Sequence, residues 1–530
     1  MHGSSQKFAV SKNGMVSTAF PLATEAGVAM LRAGGNAIDA ACAAAWTLGV
    51  CEPQASGLGG QTMMLLYGGR KVIALDGSSR APSLTHVNAI YRDDRTLGYR
   101  ASTVPSTPAT LGYAHLRYGT LPREQIMEPA IAAAAHGYTI TPLQHRLQHE
   151  QLENFNIIES RSGADYFLDN GTAYAEGALF RQPDLAVLLK TLSIKGIEEF
   201  YNGTTAKQID ADMRENGGLL RYDDLALIPL PLLRTPLKCT FRKHRVYSMP
   251  PPGAGRSLLF ALLMIDAIPA KLLRDKDRRR LHIFAEVFRK TLLERADRPF
   301  DPNFYPQHHE KDMLDRSYSR ESITELINAV DRTILPSLIT EDEISGETTH
   351  LSVIDHNGWA VSLTQSIERV YGSKAAAGGL GFLYNNYLSD FEYKLPENPY
   401  YLRPNSVPWA SVAPSLIFKK GELWMALGSP GSGRIFSTLA QFLVHVIDDK
   451  MSLFDAMNAP RIHCSLGGRV SIERERFPQG VVDFLEAKGY RIDLRDPYAF
   501  YLGAVHAVVM SENEFEGVAE IRRDGTAGGI

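Results

Sequence analysis

Ser345-Gly346-Glu347-Thr348-Thr349-His350-Leu351-Ser352-Val353-Ile354-Asp355-His356-Asn357-Gly358-Trp359-Ala360-Val361-Ser362-Leu363-Thr364-Gln365-Ser366-Ile367 is the stretch around which the chain is read. Apolar residues alternate on both sides of Asp355-His356-Asn357-Gly358, the pattern of two short strands joined by a tight turn. The expected element is a β-hairpin. With Gly358 in the left-handed position of a three-residue loop, Asp355 faces Trp359, and counting back along both strands sets Thr348 opposite Ser366. A two-residue Asn-Gly turn instead pairs Thr348 with Ile367. In the first register two hydroxyls meet, since opposed Cβ atoms lie roughly 4.5 to 5.5 Å apart.

Around this hairpin the chain reads as helix-rich first and strand-rich later. Leu22 to Arg32 has a helical period and stops at Gly34-Gly35; Asn36 then caps a second helix through Asp39 to about Val50. That helix is apolar nearly all round and is expected to be buried. Gly57-Leu58-Gly59-Gly60 breaks it, with close backbone packing the expected reason and ligand approach the other. Thr62 to Tyr67 and Lys71 to Leu75 read as a strand pair leading to Arg80, placed either to fork onto a carboxylate or to make a structural ion pair. Helical patterns dominate Pro122 to Ile197, Ser257 to Ile265 and His282 to Glu294, and Ser319 to Glu347 reads as looser and polar. Later come strands at Ser411 to Phe418 and Leu423 to Leu427, the loop Gly428-Ser429-Pro430-Gly431-Ser432-Gly433-Arg434, and an amphipathic helix from Ile435 to Asp448. Strand, Gly-rich loop and helix start together present free backbone N–H groups to an anion, although the Gly-Lys-Ser/Thr of a phosphate cradle is missing. Four short strands follow, near Val470, Arg491, Ala504 and Gly517.

The 530 residues carry 56 Lys and Arg against 59 Asp and Glu, a balance that gives no electrostatic reason to expect nucleic acid or an anionic membrane as partner. Arg274 to Arg280, with Asp275 and Asp277 inside it, is expected to be a solvated helix face. Cys42, Cys51, Cys239 and Cys464 lack metal-binding spacing and read as small buried hydrophobes. Neither a secretory leader nor a run of membrane-spanning length is read in the sequence, so the cytoplasm is the expected location.

Several motifs, in order, resemble the γ-glutamyltransferase (glutathione hydrolase) family of N-terminal nucleophile hydrolases. They are Gly34-Gly35-Asn36-Ala37-Ile38-Asp39-Ala40, Gly57 to Gly60, Glu199-Phe200-Tyr201-Asn202-Gly203-Thr204, Met249-Pro250-Pro251-Pro252, Ala296-Asp297-Arg298, Thr348-Thr349-His350, Gly428 to Gly431 and Asn458-Ala459-Pro460-Arg461-Ile462-His463. The resemblance covers nearly the whole chain. It implies an α+β, four-layer αββα sandwich, and a precursor that cuts itself between Glu347 and Thr348 into a large subunit (1–347) and a small one (348–530) that stay together. A dimer of such pairs is a further expectation.

The implied chemistry suits these residues. A threonine hydroxyl needs a base, and cleavage before Thr348 frees an α-amine with a pKa of roughly 7.7 to 8.0 beside it. The resemblance makes Thr348 the nucleophile toward a glutathione-like γ-glutamyl donor, with water or an amino acid as acceptor and no cofactor or metal. Ser366 matches the hydroxyl that hydrogen-bonds the nucleophile, and Gly431 and Ser432 match the Gly-Gly pair of the oxyanion hole. Asp390 matches the carboxylate for the donor's α-ammonium, and Ser411 one of two serines for its α-carboxylate. Ala410 replaces the other serine. Glu368 stands where the family has asparagine, Tyr387 where it has glutamine, and Ser78 where it has the carboxylate-binding arginine, for which Arg80 would substitute. An acidic Glu368 opens a second expectation, an acylase for a glutaryl or similar dicarboxylic monoamide. A third is an uncleaved, non-catalytic binding protein. The short loop from Phe391 to Pro408 predicts an open site and more hydrolysis than transfer.

Overall fold

The computed structural model describes residues 6–269, 272–273, 278–297, 314–329, 346–512 and 514–530. The hairpin forms as strands Gly346–Asp355 and Ala360–Arg369. Asp355 N donates to Trp359 O at 3.0 Å and Gly358 takes a φ of 75°, so the turn is the three-residue loop with a left-handed glycine. The carboxylate of Asp355 accepts from the N–H groups of Asn357, Trp359 and Ala37, tying the turn to the start of a helix.

This hairpin sits inside a seven-stranded sheet in the order Thr526–Gly529, Gly14–Thr18, Gly346–Asp355, Ala360–Arg369, Gln61–Gly68, Lys71–Gly77, Leu232–Arg234. A second seven-stranded sheet runs Phe8–Ser11, Phe515–Ala519, His506–Met510, Glu422–Gly428, Ser415–Lys419, His244–Ser248, Leu237–Phe241. Strands from before and after Thr348 are interleaved in both.

Alternation along the hairpin builds the layers. Leu351, Val353, Val361 and Leu363 pack with helices Pro21–Arg32 and Ala37–Cys51, while Ile354 and Ala360 pack with Leu416, Ala426 and Val508 of the other sheet. The far face of that sheet, through Val246, Ile417 and Met425, meets helices Gly255–Ala267, Arg279–Asp297 and Ile435–Ile447. Helix, sheet, sheet, helix is the expected αββα sandwich. Truncating a fully buried leucine such as Leu351 to alanine costs about 2 to 5 kcal/mol here. Every residue of Ala37–Cys51 is buried, and its Asn36 cap accepts from Ile38 N and Asp39 N while Asp39 reaches back to Asn36 N at 2.9 Å.

Three local expectations change. Part of the supposedly loose segment is the helix Arg316–Ala329, and the strand at Gly346 begins before Thr348, whereas 330–345 lies outside the described residues. Ser411 to Pro414 is not strand: Ala410 N and Val412 O are engaged by Pro252 O and Ala254 N, and Pro414 has no N–H to give, so the strand starts at Ser415. Arg280 is not a solvated charge but a buried one, forked onto Asp449 at 3.0 and 2.8 Å; 274–277 are outside the described residues. The cysteines are buried and free, and Gly59 and Gly60 are packing glycines, since a Cβ there would sit 2.0 Å from Leu383 O and 2.2 Å from Ser366 O.

Candidate active site

At the open end of the hairpin the ladder slips. Thr349 pairs with Gln365 but Glu347 pairs with Glu368, leaving a bulge in which Thr348 faces Ser366 and Ile367. The Ile367 N–H turns away to Ala55 O at 3.2 Å. The Glu347–Thr348 peptide bond therefore lacks the cross-strand backbone pairing its neighbours have, and Ser366 serves it instead. Thr348 Oγ1 donates to Ser366 Oγ at 3.2 Å, Ser366 Oγ donates to the Glu347 carbonyl at 2.7 Å, and Glu368 N donates to Ser366 Oγ at 2.9 Å. One hydroxyl joins the Thr348 side chain to the carbonyl of the residue before it. Thr348 and Ser366 are buried, 4% and 1% exposed.

Opposite them lies the Gly-rich loop between strand Glu422–Gly428 and helix Ile435–Ile447. Gly431 has φ 130° and Ser432 φ 52°, both in the positive region, which for Ser432 stores about 1 kcal/mol or more of strain. The turn brings Ser432 against the chain just before Thr348: a Cβ on Gly346 would meet Ser432 Cβ at 2.7 Å and Glu368 Oε1 at 3.1 Å. Among the described residues, neither Gly431 N nor Ser432 N has an acceptor, the state expected of oxyanion donors awaiting a ligand.

Glu368, Asp390 and Tyr387 gather beside Ser366. Burial pushes the Asp390 carboxyl up to about 7 against the opposing pull of Arg369, the Ser389 hydroxyl at 3.1 Å, and Arg295. Glu368, in a left-handed conformation at φ 79°, is pushed well above the carboxylate range by burial and then by Asp390; Arg369 and Arg434 oppose this. Two carboxylates so placed resist ionising together. Tyr387 is 1% exposed, and burial followed by the charge of Glu368 raises its phenol. Ser411 stands half-buried on the turn fixed by Pro252, its hydroxyl without a hydrogen bond among the described residues.

Arg80 is not seen to join this group. Its carbonyl accepts from Val104 N at 2.8 Å, its side chain makes no hydrogen bond or ion pair among the described residues, and the arginines acting on Asp390 are Arg369 and Arg295. Ser78, at the family's arginine position, is folded onto Asp76, which holds Arg234 at 2.6 Å.

Sequence reading missed Arg369 and Arg295, and two more, Arg434 and Arg523. Arg295 lies with its guanidinium 5.7 Å from the Trp409 ring, and Arg434 donates to Tyr501 O at 2.7 Å while stacking on that ring at 3.9 Å. Arg523 pairs with the Glu347 carboxylate and reaches Thr348 O at 3.4 Å. Burial raises Glu347, and Arg523 is the strongest opposing influence. Behind Thr348, Thr349 Oγ1 donates to Glu52 at 2.5 Å, and burial lifts that carboxyl to about 8.

Comparison with known proteins agrees with this geometry. The family model described as gamma-glutamyltranspeptidase matches residues 23–530. The glutathione hydrolase proenzyme of Escherichia coli is 30% identical, with 98% of this chain and 92% of that one covered. The acylase ACY 1 proenzyme of Pseudomonas sp. strain SE83 is 31% identical, covering 98% and 94%. Among solved structures, the cephalosporin acylase of Bacillus halodurans superposes with a TM-score of 0.89 at 26% identity, covering 100% of this chain and 98% of that one. A family model matched over residues 23–530, and relatives matched nearly from end to end, leave one assignment: the chain belongs to the γ-glutamyltranspeptidase family.

Proposed function

We propose that this protein is a self-processing γ-glutamyl hydrolase or transferase acting on glutathione-like amides. The observation that carries the reading is the relay from Thr348 Oγ1 through Ser366 Oγ to the Glu347 carbonyl. In the uncut chain, Thr348 Oγ adds to the Glu347 carbonyl carbon and the C–N bond breaks. The hydroxyl proton passes to the departing nitrogen, and water then opens the ester. The products are the Glu347 carboxylate and a Thr348 that carries a free amine beside its hydroxyl. Residues 1–347 and 348–530 stay associated because each supplies strands to both sheets.

The new amine then takes the Thr348 hydroxyl proton as Thr348 attacks a donor's γ-carbonyl. The Gly431 and Ser432 N–H groups take the developing oxyanion, and ionised Asp390 offers the negative charge for the donor's ammonium, with Glu368 beside it. Water or an amino acid opens the acyl-enzyme.

Release of nitroaniline from γ-glutamyl-p-nitroanilide by the processed protein, and its loss in Thr348→Ala, tests this reading. A processed protein that is inert toward the compound contradicts it. A second reading, an acylase for a dicarboxylic monoamide, is favoured by the end-to-end match to an acylase structure and by Glu368 at an asparagine position. Faster cleavage of glutaryl-p-nitroanilide than of the γ-glutamyl compound selects it.

A further inference from the structure

The scissile bond lies where the hairpin has lost its own means of holding a peptide. The strand Gly14–Thr18 pairs with Gly346–Asp355 only from Leu351 onward, so the residues around Thr348 have no backbone partner on that side. On the other side the bulge removes the partner that Thr348 would otherwise have. A bond that must be attacked at one carbonyl carbon nevertheless needs a fixed orientation, because a small misplacement costs large factors in rate.

Arg523 stands at that open edge. Its Nη1 donates both to the Glu347 carboxylate and, at 3.4 Å, to the Thr348 carbonyl, while Nη2 reaches the other Glu347 oxygen at 3.4 Å. One guanidinium thus contacts the residue before the bond and the residue after it. Phe500 packs on its face, 4.1 Å from ring centre to guanidinium carbon, and both charged groups are buried, 1% and 0% exposed. Glu52 and Asp524 feel its charge without coming within ion-pair distance, so Glu347 is its one carboxylate partner among the described residues.

Resting on the self-cleavage reading above, we infer that Arg523 is a positioning residue for maturation: by gripping Glu347 and the Thr348 carbonyl together, it presents the scissile carbonyl to the Thr348 hydroxyl. Glu347 is the handle of this grip. Cleavage separates the two halves of the grip, because Glu347 becomes the end of the large subunit while Thr348 O remains on Arg523. The guanidinium is neither acid nor base in the step, which is balanced by the proton moving from Thr348 Oγ to the leaving nitrogen.

Conversion of the full-length chain into two fragments, followed on a denaturing gel, tests the inference. Arg523→Ala slows conversion about 10- to 100-fold, the range a misplaced reacting group gives. Arg523→Lys recovers part of the rate. Added guanidinium chloride, at tens of millimolar, restores Arg523→Ala, and sodium chloride at equal ionic strength does not. Glu347→Gln slows conversion too; the double variant is no slower than the slower single and is no longer rescued by guanidinium.

A wild-type rate in Arg523→Ala overturns the inference. So does a slow rate that neither lysine nor guanidinium improves, or a double variant whose losses multiply. Melting of Arg523→Ala in the uncleavable Thr348→Ala background separates folding from positioning: a collapse of the melting temperature that guanidinium does not reverse makes the residue structural and also overturns it. Failure of the underlying reading looks different, because the unaltered chain then does not cut at Glu347–Thr348 at all.

Discussion

The two ends of the central hairpin are built from the same pair of strands and treat their backbone in opposite ways. At the turn, Asp355 satisfies three N–H groups and the ladder is regular back to Thr349. At the other end the ladder slips, and the peptide at Thr348 depends on side chains, Ser366 from one side and Arg523 from the other. Regular pairing makes a peptide bond inert because its carbonyl and N–H are held to neighbouring backbone. The bond proposed to react is the one taken out of the ladder and handed to the side chains of Ser366 and Arg523. On the proposed reading, one hairpin is both scaffold and substrate.

Substitutions at the two ends sharpen the contrast. The largest effect belongs to Thr348→Ala, which removes nucleophile and future amine-bearing alcohol together: the chain stays a single band on a denaturing gel and amidase activity falls to background. Next is Ser366→Ala. Losing the hydroxyl that polarises the Glu347 carbonyl slows self-cleavage about 10² to 10³-fold, as losing one oxyanion donor does, measured as the first-order appearance of the small fragment. At the turn, Asp355→Ala leaves buried donors unpaired and costs about 1 to 3 kcal/mol in denaturant unfolding, with the cleavage chemistry unchanged once the protein is folded. If Asp355→Ala slows cleavage as much as Ser366→Ala, the ends are not separable in this way.

The smallest effect concerns pH. In its proposed role Asp390 meets an ammonium only when ionised, and burial pushes its pKa up to about 7, so kcat/KM for a γ-glutamyl amide is expected to rise as pH increases through that value. Because the folded pKa is raised, the ionised form is disfavoured by folding, and the stability Asp390 contributes in full below its ordinary value of 3.8 is lost progressively as pH rises from there through about 7. Burial, and then Asp390, push the Glu368 carboxyl well above the carboxylate range too, with Arg369 and Arg434 opposing. With Asp390 as the titrating group, Glu368→Gln leaves the midpoint of the pH–rate profile in place; a midpoint that moves shows instead that the two carboxyls titrate as a pair.

How much of this the sequence makes legible follows the same division. The turn register, the Asn36 cap and the buried helix Ala37–Cys51 are written in local patterns: alternation, a left-handed glycine, a capping residue. The meeting of Thr348 with Ser366 follows from counting along strands. The bulge between them does not, because it is set by Ala55 and Asn386 drawing Ile367 aside, contacts made over long sequence distance. Arg523 is 175 residues from the carbonyl it holds and belongs to no periodic pattern. The start of the strand at Ser415 is misread because alternation continues through Ser411 to Pro414, whose backbone is already committed to the proline turn. Arg80 is expected to meet a carboxylate from its position at a strand end, and its side chain makes no hydrogen bond or ion pair among the described residues.

The central claim, that this chain matures by breaking the bond the hairpin leaves unpaired, is tested most directly by intact-mass measurement of the smaller fragment from fully matured protein. The account predicts a fragment running from Thr348 with a free amino terminus, absent from Thr348→Ala. A catalytically active protein in which the Glu347–Thr348 linkage is whole, or a new terminus at any other residue, would contradict it.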